Sequence, residues 1–353
     1  MAKRRFPPAM RAMRPGSGTI AGVFPPTPRD SDAWDSDVSR EIARSAPARG
    51  GFYAGDRPEE QRPEPGEDEE DFEEEIRVVP VRRQLSVAIG GFAALLGAGL
   101  VFGAQTTGPD ARIPYAIVIV GVQLLYVLAF TMAIRPPAAG IVAGISVATG
   151  AVAAWIAATS ASPDLLPLLY VLGGGFLAAL IGQAVRAQDR HRIRDGLGGT
   201  FLVPFGVVCL AVLILLTRIP VGTQAVLVCL AAAAVTLLAA HLTDAVWPRP
   251  RVAPQVPRGA AGIVLGTMLG TLTAAGLGSV LVLPVTPGKG AVLGLVVAGF
   301  AALIDLAVNY SEAGRGMAGA APTLWVARHM QGPLGAFALA VPATYVMTVF
   351  FLS

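Results

Sequence analysis

From residue 84 to residue 352 the chain is a succession of nine apolar runs separated by short polar connectors. Each run is about 20 residues long, enough for a helix to cross a ~30 Å hydrocarbon core. The runs fall at 84–105, 113–134, 138–159, 165–185, 197–217, 221–242, 259–283, 290–310 and 332–352. The fold class this predicts is all-α: a polytopic membrane helix bundle of about nine transmembrane helices over residues 84–353.

Residues 1–83 have the opposite character. They hold 17 of the 24 acids and 14 of the 27 bases, which leaves this tail at −3 and the remainder of the chain at +6. Its densest stretch, GEDEEDFEEE at 66–75, sits among prolines and glycines with little aliphatic periodicity. Such a segment buries too little apolar surface to offset its ordering entropy, so the expectation is a disordered, solvating tail. A second reading is a docking arm for a basic protein partner. Lys3, Arg4 and Arg5 are placed to touch anionic lipid headgroups. The basic excess beyond residue 83 surrounds apolar spans, so it reads as a topology signal, with no nucleic-acid partner expected. Cys209 and Cys229 each lie inside an apolar run and read as small buried residues.

Cytoplasmic connectors carry an excess of Lys and Arg, and this orients the spans. No apolar h-region follows the basic start of the chain, so the tail is expected to stay in the cytoplasm. With the tail inside, 13 bases fall on cytoplasmic segments: Arg77, Arg82, Arg83, Arg135, Arg186, Arg190, Arg192, Arg194, Arg249, Arg251, Arg258, Arg315 and Arg328. Only Arg112, Arg218 and Lys289 fall outside. The expectation is a multi-pass protein of the cell membrane with a cytoplasmic N-terminus and an external C-terminus. Cysteine introduced at Ala187 or Ala320 should then resist an impermeant maleimide in intact cells. Labelling at either position would overturn the nine-span orientation.

Small residues recur at four-residue spacing in two runs: Gly262, Gly266 and Gly270, and Gly140 and Gly144. In lipid, where packing drives helix association, such rows let backbones approach closely.

Ionisable groups within membrane spans are costly and commonly functional. Asp305 lies in the eighth run, about one turn from its cytoplasmic end, with Asn309 at i+4 and Glu312 beyond it. Asp244 falls just past the sixth run, near His241, and His329 falls in the connector before the ninth. In this topology all of them lie on the cytoplasmic side and are able to converge on one polar pocket. The plainer reading is that Asp305 pairs with an arginine or a backbone group while the others are interfacial.

The pieces from residue 197 onward resemble the C-terminal half of the phosphatidate cytidylyltransferases, the enzymes that form CDP-diacylglycerol. That family has an Asp after an apolar span, a connector similar to APxxSPKKTWEG, and a glycine-rich span. Here Asp244 is followed by APQVPRGAAG at 253–262 and then a glycine-rich run. The family's next span ends in GDL, and a basic loop, the motif HGGxxDRxD and a final span follow. Here the corresponding pieces are Ile304, Asp305 and Leu306, a loop with Arg315 and Arg328, then His329 and a last run. The resemblance implies Asp244, Asp305 and His329 as catalytic candidates. It implies Arg258, Arg315 and Arg328 as candidates for an anionic substrate, and Asp305 and Glu312 as candidate ligands for Mg²⁺.

The departures fall on the catalytic set. The family's Trp-Glu pair is Ala260-Ala261 here, and MQGPLGAF at 330–337 supplies no aspartates after His329. Nucleotidyl transfer needs Mg²⁺ held by carboxylates to neutralise a triphosphate, so only that activity would call for a metal here. The expected function is therefore a non-catalytic or strongly diverged cytidylyltransferase-like membrane protein, in contact with membrane lipids and linked to lipid or envelope metabolism. The alternatives are a small-solute or lipid transporter or flippase, and an active CTP-dependent phosphatidate cytidylyltransferase with a reduced site.

Overall fold

The computed structural model describes residues 79–106, 112–186, 196–319 and 324–352. The tail 1–78 lies outside them, and with it the expected disorder and partner of that segment. Among the described residues there are nine helices long and apolar enough to cross a membrane. They are α1 (Arg83–Gln105), α2 (Ile113–Ile134), α3 (Ala139–Thr159), α4 (Leu166–Arg186), α5 (Leu197–Leu216), α6 (Gly222–Val246), α7 (Ala260–Val280), α8 (Pro287–Met317) and α9 (Trp325–Met347). A π-helical turn, Thr348–Leu352, ends α9. A helix satisfies its backbone groups internally, which is what the hydrocarbon region demands. The chain is a multi-pass integral membrane protein.

Helices α1 to α5 keep close to the apolar runs, and three later ones outrun them. Helix α6 continues to Val246, so Asp244 belongs to its last turn rather than to the connector beyond it. Helix α8 is 31 residues long, roughly 46 Å at 1.5 Å per residue. Asp305 therefore sits about three turns from its end, not one. Helix α9 begins at Trp325, which places His329 within the helix instead of in a loop. The cause is common to all three. Hydropathy reports where lipid stops, whereas helical hydrogen bonding continues into polar sequence until a turn residue ends it.

Helix α5 is the centre of one half of the bundle. Its apolar window is 78% buried, against 17% for α4 and 22% for α7. It is apolar on every face, as an interior helix must be. Helices α2, α3 and α4 surround it, while α6 lies between α1, α7 and α8. Helix α9 joins the two groups, touching α8 on one side and α2 and α5 on the other. Glycines set several of these approaches. A Cβ on Gly206 would fall 2.1 Å from the Tyr126 ring, and one on Gly97 would fall 2.5 Å from Ala234 Cβ. Buried polar side chains tie helices together as well: Gln123 Nε2 donates to Val207 O at 2.7 Å, and Gln183 Nε2 donates to Thr200 Oγ1 at 2.7 Å.

The row Gly262, Gly266, Gly270 faces α6 at backbone distance. A Cβ at each would lie 2.7 Å from Ala240 O, 2.6 Å from Thr236 O and 2.6 Å from Ala232 O respectively. The row continues through Ala274 to Gly278, where the contact passes to the start of α8. This contact fixes α6 and α7 side by side, and with them the ends that carry the charged cluster.

Candidate functional site

The α6–α7 connector folds back on itself as a short hairpin. Arg251 and Gly259 form an isolated antiparallel bridge, Val252 N donates to Arg258 O at 3.1 Å, and Ala260 N donates to Pro250 O at 2.9 Å. The residues before α1 hold the hairpin from behind. Val79 N donates to Pro254 O at 3.1 Å, and the Arg251 guanidinium donates to Val79 O. The hairpin drives the Arg258 side chain into the bundle, where it is 1% exposed.

Arg258 bridges two carboxylates from different helices. Its Nη1 donates to Asp244 Oδ2 on α6 at 2.6 Å. Its Nη2 lies 2.9 Å from Asp305 Oδ2 on α8, an ion pair whose angle is too poor for a hydrogen bond. Asp244 and Asp305 are 0% and 1% exposed. The second oxygen of Asp244 accepts from Gly259 N at 2.9 Å. Gly259 is the N-cap of α7, so this carboxylate also faces the positive end of a helix dipole.

His241 completes the cluster, one turn before Asp244 on the same face of α6. Its Nδ1 is 3.0 Å from Arg258 Nη1. A guanidinium nitrogen is always a donor, so Nδ1 is the acceptor and the ring proton belongs on Nε2. Nε2 points towards Asp305 Oδ1 at 3.6 Å, beyond hydrogen-bond length. Ser86 Oγ of α1 donates to the His241 carbonyl at 2.8 Å. Four segments of the bundle thus meet at one sealed polar core.

Two glycines make room for it. A Cβ on Gly262 would fall 2.3 Å from Asp244 Oδ1, and a Cβ on Gly332 of α9 would fall 2.3 Å from Asp305 Oδ1. The carboxylates therefore occupy space that any other residue would fill.

Glu312, Arg315 and Arg328 form a separate, more open group. Glu312 pairs with Arg315 at 3.2 Å and with the Nε of Arg328 on α9. The Arg315 guanidinium also donates to the Ala133 carbonyl at the end of α2. His329 stands edge-on to Trp325 with ring centroids 5.2 Å apart. Asn309 Nδ2 donates to the Asp305 backbone carbonyl at 2.7 Å, a bond within α8. Of the sequence candidates, the structure brings together Asp244, Asp305 and Arg258, and gathers Glu312, Arg315 and Arg328 elsewhere. Sequence reasoning placed His241 only as a neighbour of Asp244, and it missed Ser86 and Gly332.

The residues do not fit Mg²⁺. A guanidinium fills the place between Asp244 and Asp305, and both oxygens of Glu312 are turned onto arginines. Hard cations need oxygen ligands free to converge on them. Among the described residues, no group of three or more His, Cys, Asp and Glu side chains is disposed to hold a metal ion. Comparison with family models, curated proteins and solved structures returns no match for the chain.

Proposed function

We propose that the chain is a strongly diverged, cytidylyltransferase-like membrane protein that carries out no nucleotidyl transfer. In this reading it serves lipid or envelope metabolism through lipid or protein contacts. The observation that carries the reading is Arg258. Its guanidinium binds both acids that a metal-dependent transferase of this kind would need, within a core 0–4% exposed. A triphosphate in the transition state must be neutralised by a metal or by free cationic groups, usually the largest single catalytic contribution. Here the one cation between the acids is already neutralised by them.

The test is rescue of a strain depleted of its own CDP-diacylglycerol synthase, with purified protein assayed alongside for CTP-dependent turnover of phosphatidate. The expected result is no growth rescue and no turnover. Rescue by the wild-type chain that Asp305→Asn abolishes would show an active enzyme and sink this reading.

A further inference from the structure

The charges of the sealed core do not balance. Arg258 brings one positive charge, and Asp244 and Asp305 bring two negative ones when both are ionised. His241 does not supply the missing charge. The two protons of Arg258 Nη1 already have acceptors, Asp244 Oδ2 at 2.6 Å and His241 Nδ1 at 3.0 Å. A proton on Nδ1 would set N–H against N–H, so the imidazole is neutral with its proton on Nε2. With both acids ionised the four side chains therefore sum to −1. An unpaired charge sealed within a membrane bundle is among the costliest features a fold can carry.

Among the described residues, the neighbouring elements do not close this deficit. Helix α1 contributes the Ser86 hydroxyl and α9 contributes Gly332, both uncharged. His329 of α9 acts on His241 through space, but a charge on it would stand against Arg82 and Arg328. Arg82 is exposed, where water screens it. Arg328 is neutralised by Glu312. The N-terminal end of α7 offers about half a positive charge, and it faces Asp244 through Gly259 N. The carboxylate oxygens show where a proton has room. Both Asp244 oxygens accept hydrogen bonds. Asp305 Oδ2 accepts none, and Asp305 Oδ1 stands 3.6 Å from His241 Nε2.

We propose that the core is a proton-binding site, in which Asp244 and Asp305 together hold one proton taken from water. That proton makes the cluster neutral. Arg258 touches both acids, so the proton belongs to the pair rather than to one residue. The packing of α6, α7 and α8 around Arg258 thus depends on a bound proton, and the bundle responds to pH from inside the membrane.

The test is the pH dependence of folding of the full chain, in detergent micelles titrated with SDS. Unfolded aspartates are ionised from about pH 6 upwards, so the wild type should release this proton on unfolding. The folded state binds the extra proton, so stability falls as pH rises, and one proton changes the folding constant about tenfold per pH unit. Asp305→Asn and Asp244→Asn each leave Arg258 one acid and a neutral amide. Each should fold, with a pH slope shallower than the wild type by about tenfold per pH unit. His241 is present in all three chains, so its own titration cancels. The double variant Asp244→Asn with Asp305→Asn strands the guanidinium and should fold least well. Infrared spectra of the wild type with isotope-labelled aspartate read the proton directly, even where a variant fails to fold. A protonated aspartate carboxyl is expected near neutral pH, and it should persist in His329→Gln. Equal pH slopes in the wild type and the foldable single variants, only ionised aspartates in the wild-type spectrum, loss of the proton in His329→Gln, or a folding constant set by sodium instead of pH would each overturn the proposal.

Discussion

Arg258→Met is expected to lower the stability of the bundle by about 3–5 kcal/mol, because it strands two buried carboxylates without a cation. The loss should appear as a lower midpoint on heating in detergent and as a smaller folded fraction on size exclusion. The companion variant decides the cause. Arg258→Met combined with Asp244→Asn and Asp305→Asn removes all the paired charges together. A buried ionic group replaced as a whole by hydrophobic residues of similar volume is often no less stable than the original, and asparagine keeps the shape of each aspartate while removing its charge. The triple variant should therefore recover most of what the single variant loses. Double-mutant analysis of such contacting residues gives coupling of about 0.5–3 kcal/mol. If Arg258→Met is as stable as the wild type, the guanidinium does not hold α6 and α8 together. The two carboxylates would then be free for other partners, and the proposed loss of catalysis would lose its support.

The cluster also marks how far sequence alone carries the argument. Nine spans are legible because a lipid-facing helix must be apolar over a fixed length, and nothing later in folding relaxes that demand. Asp305 stands out for the same reason, as the one acid deep in such a run. Glu312 and Arg315 lie beyond the end of the apolar run at 310, and only the extension of α8 to Met317 makes them i,i+3 neighbours on one helix. Arg258 is not readable either. Its partners lie 14 residues upstream and 47 residues downstream, and only the hairpin connector aims it between them. A connector with three prolines between residues 248 and 254 reads from sequence as a loop leading to solvent. Its inward turn depends on the Arg251–Gly259 bridge and on Val79, which are tertiary facts. The helix ends at Val246 and Met317 were hidden for a different reason. Hydropathy falls where lipid stops, but the helix goes on, and the extra turn at Val246 is what brings Asp244 inside.

Two glycine rows that look alike in sequence are expected to respond in opposite ways to alanine. Gly262→Ala, Gly266→Ala and Gly270→Ala each force a methyl to within 2.6–2.7 Å of a carbonyl oxygen of α6. A helix backbone cannot yield as a side chain can, so α6 and α7 must separate. Overpacking of this kind costs about 1–3 kcal/mol per site. Gly262→Ala and Gly270→Ala should be more damaging than Gly266→Ala, because their methyls also fall 2.3 Å from Asp244 Oδ1 and 2.0 Å from Thr236 Oγ1, and the first pushes the carboxylate off Arg258. Gly140 and Gly144 of α3 have nothing within 4 Å of the same position. Alanine is the better helix former there by about 0.5–1 kcal/mol, so Gly140→Ala and Gly144→Ala should be neutral or mildly stabilising. Thermal midpoints of the five variants in one detergent would check the contrast. If alanine at Gly266 and Gly270 is tolerated while alanine at Gly140 and Gly144 is not, the close helix contact belongs to α3, and the α6–α7 pairing that positions Asp244 and Arg258 is wrong.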